Sequence, residues 1–138
     1  MKIIFSLLSV FLVSVMMISC GKDNSADNGK NNSVPEFETI TMEEAMSRMK
    51  NEKDFILLDV RREEEFSEGH IPGAVLLSNE KISPEKTDSI LKDREQQVYV
   101  YCRSGRRSRN VAEKLAAYGY KKVTNIGGIL DYKGPQEK

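Results

Sequence analysis

The sequence lacks tryptophan altogether and holds one histidine and two cysteines in 138 residues. One His and two Cys cannot by themselves close a Cys/His zinc site, and no metal is expected. An excess of either charge is missing as well. The 21 Lys and Arg balance 21 Asp and Glu, for a formal net charge of zero, which argues against a general nucleic-acid binder. No internal repeat is visible. What is present is 39% apolar residues, enough for a packed core and too much for wholesale disorder. The length suits one compact domain with at most a tail.

The first residues differ from the rest. Lys2 is followed by the apolar run IIFSLLSVFLVSVMMIS and then by Cys20, the layout of a secretory signal. Residues 3–19 also reach the lower limit for spanning a bilayer, so a retained anchor is one alternative, beside plain secretion and a cytosolic core segment. The segment MISCG resembles the lipobox of bacterial lipoproteins, in which signal peptidase cuts before a Cys that then carries lipid. Met17 stands where that family prefers Leu, while Ser19 and Gly21 flank the Cys as the pattern wants. The resemblance implies a signal peptide over residues 1–19, lipidation at Cys20, and a location in the bacterial cell envelope. The domain would be lipid-anchored to a membrane there, on the periplasmic side or at the cell surface. Residues 20–34 then form a linker. GKDNSADNGKNNSV has no aromatic residue and no periodicity, so it cannot offset its ordering entropy. As a flexible coil it would span roughly 20 Å on average.

Residues 35–138 have the texture of a folded domain. A short strand is expected over 37–40. Thr41 with Glu44 makes a capping-box pattern that opens a helix, and Met42, Ala45, Met46 and Met49 recur along it as a core-facing stripe. FILLDV (55–60) is an apolar run of strand length, expected to be buried on both faces. Residues 62–69 predict a short helix ending at Gly69, with Glu63, Glu64 and Glu65 facing solvent and Phe66 turned inward. AVLLS (74–78) is a third strand and SPEKTDSILKD (83–93) a helix with Pro84 in its first turn. QVYVY (97–101) is a fourth strand. A helix follows from Ser108, with Val111, Leu115 and Tyr118 on one face. Residues 122–126 form the last strand, before Gly127 and Gly128, which read as a tight turn. Strands alternating with helices imply a parallel sheet covered on both sides. Asp59 and Arg61 are expected to pair and fix a strand end. His70, in GHIPG, suits a turn-stabilising role better than half of a Cys–His dyad.

The informative stretch is VYVYCRSGRRSRNVAEKL. A buried strand ends, Cys102 follows at once, and a helix begins within a few residues. Open parallel sheets place their sites at the carboxyl ends of strands. A tight loop entering a helix aims several backbone N–H groups at one spot and adds the positive end of the helix dipole. Gly105 permits the backbone such a cradle needs. Arg103, Arg106, Arg107 and Arg109 add positive charge. Together these favour thiolate over thiol and make Cys102 a candidate nucleophile. The same cradle would hold an anion.

These residues resemble a single-domain rhodanese. That family's active loop reads C-x-x-G-x-R, matched by Cys102, Gly105 and Arg107. LLDVR (57–61) resembles its D-V-R strand end, GHIPGA (69–74) its G-H-I-P-G-A turn, and residues 119–128 its closing strand before Gly-Gly. Two departures lie downstream: Tyr132 stands where the family often has Trp, and little chain remains after Pro135 for a last helix. The resemblance implies an α/β, rhodanese-like fold with a central, mostly parallel five-stranded sheet and helices on both faces. It implies that Cys102 is the catalytic nucleophile of a sulfurtransferase and that Arg103, Ser104, Gly105, Arg106 and Arg107 form the substrate-binding loop, with no cofactor. A small anionic donor such as thiosulfate would leave a persulfide on Cys102. Cyanide, a thiol or an unidentified protein acceptor would then take that sulfur. Two rival readings stand beside it. One is a persulfide carrier or binding module, tethered in the envelope, that does not turn over. The other is a cysteine phosphatase of related fold, whose C-x-x-x-x-x-R loop would need Arg at position 108, where this chain has Ser. Cys102 could also be an inert core thiol or pair with Cys20, although lipidation would remove the Cys20 thiol from pairing.

Overall fold

The computed structural model describes residues 35–138, so the expected signal peptide, Cys20 and the linker lie outside the described residues. Five strands make one sheet: β1 (Glu38–Thr39), β2 (Phe55–Asp59), β3 (Val75–Leu76), β4 (Gln97–Cys102) and β5 (Lys122–Gly128). Their order is β1-β5-β4-β2-β3, and every neighbouring pair is parallel. The expected fold class therefore holds, with a sheet more uniform than the mostly parallel one foreseen. β3 is shorter than the run 74–78 suggested. It sits at the sheet edge, paired only with β2, and its Val75 is exposed.

Alternate residues of the central strands feed two cores, as the period of two requires. Leu58, Val98, Val100 and Val123 join Val111, Ala112 and Leu115 of helix α4 (Arg106–Ala117) on one face. Leu57, Tyr99, Tyr101 and Ile126 join Met42 and Ala45 of α1 (Met42–Met49) on the other. Met46 and Met49 pack on that second core, so the methionine stripe is structural. Helices α2 (Glu63–Glu68) and α3 (Pro84–Ile90) complete the set.

Capping residues set the helix starts. Thr41 Oγ1 accepts from the Glu44 N–H at 3.2 Å, but the reciprocal half of the expected box is absent, because the Glu44 carboxylate takes Arg48 at 2.7 Å instead. Ser83 Oγ accepts from the Lys86 N–H at 3.2 Å, ahead of Pro84 at the first helical position. α3 stops before the expected residue 93, where the chain turns at the buried Leu91. α4 starts two residues before Ser108, because Gly105 is its N-cap with φ +96°. After β5 there is only a 3₁₀ turn, Ile129–Asp131, and Tyr132 packs against the second core.

Candidate active site

Cys102 is the last residue of the central strand β4. The pairing of β4 with β5 slips between Val100 and Cys102, so that Cys102 faces Gly128. Three residues then connect the strand to α4. Gly105 sits in the left-handed region that glycine tolerates, and this turns the Gly105 N–H back onto Cys102 Sγ at 3.1 Å. The thiol is 1% exposed and makes no disulfide among the described residues. Burial pushes such a thiol up. The hydrogen bonds it receives outweigh burial and hold it below its ordinary value: they come from Ser108, through backbone and hydroxyl, and from the Gly105 and Ser104 N–H groups. The Ser108 hydroxyl carries one proton, and its shortest contact is Asn125 Oδ1 at 2.7 Å, so the backbone donors are the constant part of this stabilisation. Residues 104, 105 and 108 thus supply the cradle, one position beyond the loop expected from the sequence.

The end of β5 supports the loop from behind. A Cβ on Gly128 would lie 2.2 Å from the Arg103 carbonyl oxygen and 2.6 Å from Ser104 Cα, so only glycine lets the strand approach this closely. The Leu130 N–H donates to the Arg103 carbonyl at 3.3 Å. Asn125, buried in β5, accepts both the Ser108 hydroxyl and the Gly127 N–H through Oδ1. Gly127 and Gly128 therefore do more than turn the chain: they form the wall against which the cysteine loop is built. Ser108 and Asn125 were not among the site residues expected. A polar Thr124-Asn125 pair between the apolar Val123 and Ile126 of the last strand was the signal that could have marked one of them.

The acidic run of α2 also departs from expectation. Glu63 and Glu64 are exposed, but Glu65 turns to the loop and grips Arg107 through two hydrogen bonds of 2.7 and 2.9 Å. Arg107 holds the Glu65 carboxyl down to about 2, against its ordinary 4.5. Arg107 in turn is kept charged chiefly by Glu65 and also by the Cys102 thiolate. Arg103 and Arg106 are exposed and have no carboxylate partner among the described residues. The expected Asp59–Arg61 pair is present, buried, at 2.7 Å, and Arg61 also donates to the Gly69 carbonyl at 2.7 Å. His70 stacks on Phe66, and its Nδ1 lies 3.1 Å from the Phe66 carbonyl, which fits the structural role. Among the described residues no three His, Cys, Asp or Glu side chains are grouped to hold a metal. A cleft of about 650 Å³ opens beside the loop, walled by Arg103 and Arg107, by Glu65 and Glu68 of α2, and by Ile129 and Leu130.

Comparison with known proteins places this arrangement. Residues 41–134 match the family described as Rhodanese-like domain. The Bacillus subtilis (strain 168) protein YrkF, provisionally named a sulfur carrier protein, is 33% identical over 118 residues, which cover 85% of this chain and 60% of YrkF. Thiosulfate sulfurtransferase PspE of Escherichia coli (strain K12) is 33% identical over 81 residues, covering 59% of this chain and 77% of PspE. The crystal structure of a rhodanese-like domain protein from Staphylococcus aureus matches with a TM-score of 0.64 at 30% identity, over 73% of this chain and 97% of that one.

Proposed function

The chain belongs to the rhodanese-like family, and from that premise we propose that it is a sulfurtransferase whose nucleophile is the Cys102 thiolate. Its relatives, named for sulfur transfer and sulfur carriage, support a role in moving sulfur. The observation that carries the residue-level reading is the cradle of N–H groups holding the Cys102 thiol below its ordinary value at the end of β4.

Thiosulfate is the donor we assign. The thiolate attacks its outer sulfur, a Cys–S bond forms, the donor's S–S bond breaks, and the electron pair leaves with sulfite. The persulfide anion then sits where the Ser104, Gly105 and Ser108 donors face it, preorganised before the charge arrives. A second nucleophile, cyanide in an assay or a thiol in the cell, takes the outer sulfur and returns the electron pair to Cys102. Arg103 and Arg106 draw the anionic donor, whereas Arg107, cancelled by Glu65, chiefly fixes the loop. The phosphatase reading is disfavoured because the side chain at position 108 is a serine built into the support of the loop. The carrier reading stays as the second one, favoured by the likeness to a relative named a sulfur carrier protein.

The test is thiosulfate-to-cyanide turnover of the purified protein beside Cys102→Ser, with mass spectrometry for one added sulfur. Both signals should vanish in the variant. Added sulfur without turnover would favour the carrier, and neither signal on a folded wild-type protein would defeat thiosulfate as donor. In the same reading residues 1–19 are a lipoprotein signal peptide, Cys20 bears lipid, and residues 20–34 tether the domain 35–138 in the bacterial cell envelope. A fatty-acid label fed to cells should appear on the wild-type protein and be absent from Cys20→Ala, and an unlabelled wild-type protein would sink the lipid anchor.

A further inference from the structure

The Ser108 side chain has a single proton to donate and is fully buried among groups that accept one. Its Oγ lies 2.7 Å from Asn125 Oδ1, 3.0 Å from the Gly105 carbonyl oxygen and 3.2 Å from the Gly127 carbonyl oxygen. The same hydroxyl is a donor to Cys102. Asn125 makes the shortest of the oxygen contacts, and its amide is held in place: it is buried in β5, and Oδ1 also accepts the Gly127 N–H at 3.3 Å. An amide oxygen keeps the same charge throughout sulfur transfer, whereas Cys102 Sγ does not. Sγ is an anion in the thiolate and a neutral chain atom once a second sulfur is attached, because the persulfide charge sits on the outer atom.

Resting on the sulfur-transfer reading above, we propose that Asn125 is a positioning residue, which takes the Ser108 hydroxyl proton while Cys102 carries the extra sulfur and yields it to Sγ when the thiolate re-forms. The hydroxyl is the moving part, and the backbone N–H groups of residues 104, 105 and 108 are the fixed one. When cyanide attacks the outer sulfur, a C–S bond forms, the Cys102 S–S bond breaks and its electron pair returns to Sγ. Ser108 then turns its O–H from Asn125 onto the departing thiolate, a charge-assisted bond stronger than the neutral one it leaves. The proton stays on Ser108 throughout, and no oxidant or reductant is used. Loading from thiosulfate runs the turn in reverse, with the Asn125 oxygen receiving the O–H as Sγ loses its charge. Without Asn125, only the two longer carbonyl contacts compete with the sulfur for that proton. The hydroxyl then stays on the thiolate, which helps discharge and hinders loading. Arg107, paired with Glu65, is the charged group that acts on the same thiolate, and this exchange leaves it untouched.

The test times the two half-reactions separately on the full chain, following one added sulfur by mass spectrometry. Thiosulfate loads the protein, the excess is removed, and cyanide discharges it, at a pH where alkylation of Cys102 has reached its plateau in every variant. Ser108→Ala removes the donor. Discharge should slow on the order of tenfold, the scale of one hydrogen bond to a charged group, while loading is no slower than in wild type. Asn125→Leu removes the competing acceptor. Discharge should quicken by about two- to tenfold, the factor for one neutral hydrogen bond, and loading should slow by a similar factor. In the double variant the Asn125 substitution should alter neither rate further, because it acts only through the hydroxyl. A role confined to holding the loop in shape would slow both half-reactions together. Parallel slowing of both in Ser108→Ala, unchanged discharge there, or an Asn125→Leu effect that survives in the double variant would each overturn the proposal while leaving sulfur transfer intact. If Asn125→Leu does not fold, the opposed half-reactions of Ser108→Ala decide alone. Absence of added sulfur on folded wild-type protein would instead overturn the sulfur-transfer reading, and the role of Asn125 with it.

Discussion

Glu65 decides how much of the Arg107 charge reaches Cys102. The carboxylate grips the guanidinium through both oxygens, and the Cys102 thiolate also helps to keep that guanidinium charged. Glu65→Gln keeps an acceptor for Arg107 and removes the opposing charge, so the thiolate is favoured more strongly. The midpoint of the iodoacetamide-alkylation rate against pH should therefore move down relative to wild type, and an upward shift would mean that Arg107 had left the thiol. The same pair gives a stability signature. The folded carboxyl sits at about 2 against an ordinary 4.5, so the stabilisation is complete above 4.5 and is lost as pH falls through that window. The urea-midpoint difference between wild type and Glu65→Gln should close between those pH values. Nothing in the sequence marked Glu65 apart from its neighbours, because EEE reads as a solvated face until α2 is laid beside α4.

At the level of elements, the strand-to-helix turn after β4 was legible and its backing was not. An apolar run that ends at Cys102 and continues into Gly105 and four arginines announces itself locally. The wall behind it comes from β5, more than twenty residues on, and a Gly-Gly pair carries no sign of what approaches it. Gly128→Ala would drive a methyl into the Arg103 carbonyl, 2.2 Å away, and backbone cannot swing aside as a side chain does. We expect a destabilisation of about 1–3 kcal/mol and a loss of sulfur loading on the order of 100-fold, the scale for a displacement near 1 Å in a catalytic group. Gly127→Ala is the control. Its φ of +84° strains an alanine, but its Cβ would meet nothing within 4 Å, so stability should fall while loading by the folded fraction persists. Equal loss of loading in both variants would show that the close approach at Gly128 is not what shapes the loop. Element lengths were read less well for a related reason. β3 is cut to two residues by its edge position and α4 is lengthened by Gly105 as N-cap, and both are set by neighbours rather than by local pattern.

Across the whole molecule, the chain is closed by its last residues. His70 and Glu137 exchange backbone hydrogen bonds of 2.9 Å in each direction, an antiparallel bridge outside the parallel sheet. Gln136 lies against Gly69, where an added Cβ would stand 2.7 Å from its amide oxygen. The Gly69 carbonyl is the one that takes Arg61, itself paired with Asp59 at the end of β2. The C-terminus thus covers the network that fixes the carboxyl end of a central strand. The polar segment GPQEK offered no hydrophobic period to announce this, since its hold is backbone pairing to a turn far away in sequence. Ending the chain after Gly134 removes the two bridge bonds, each worth about 0.5–1.5 kcal/mol net, so unfolding in urea should become easier by about 1–3 kcal/mol. Sulfur loading per folded molecule should be retained, because the donors facing Cys102 come from residues 104, 105 and 108 and their backing from β5. Loss of loading under conditions where the shortened chain is fully folded would show that the order of the site, as well as the stability of the fold, passes through the Asp59–Arg61–Gly69 network.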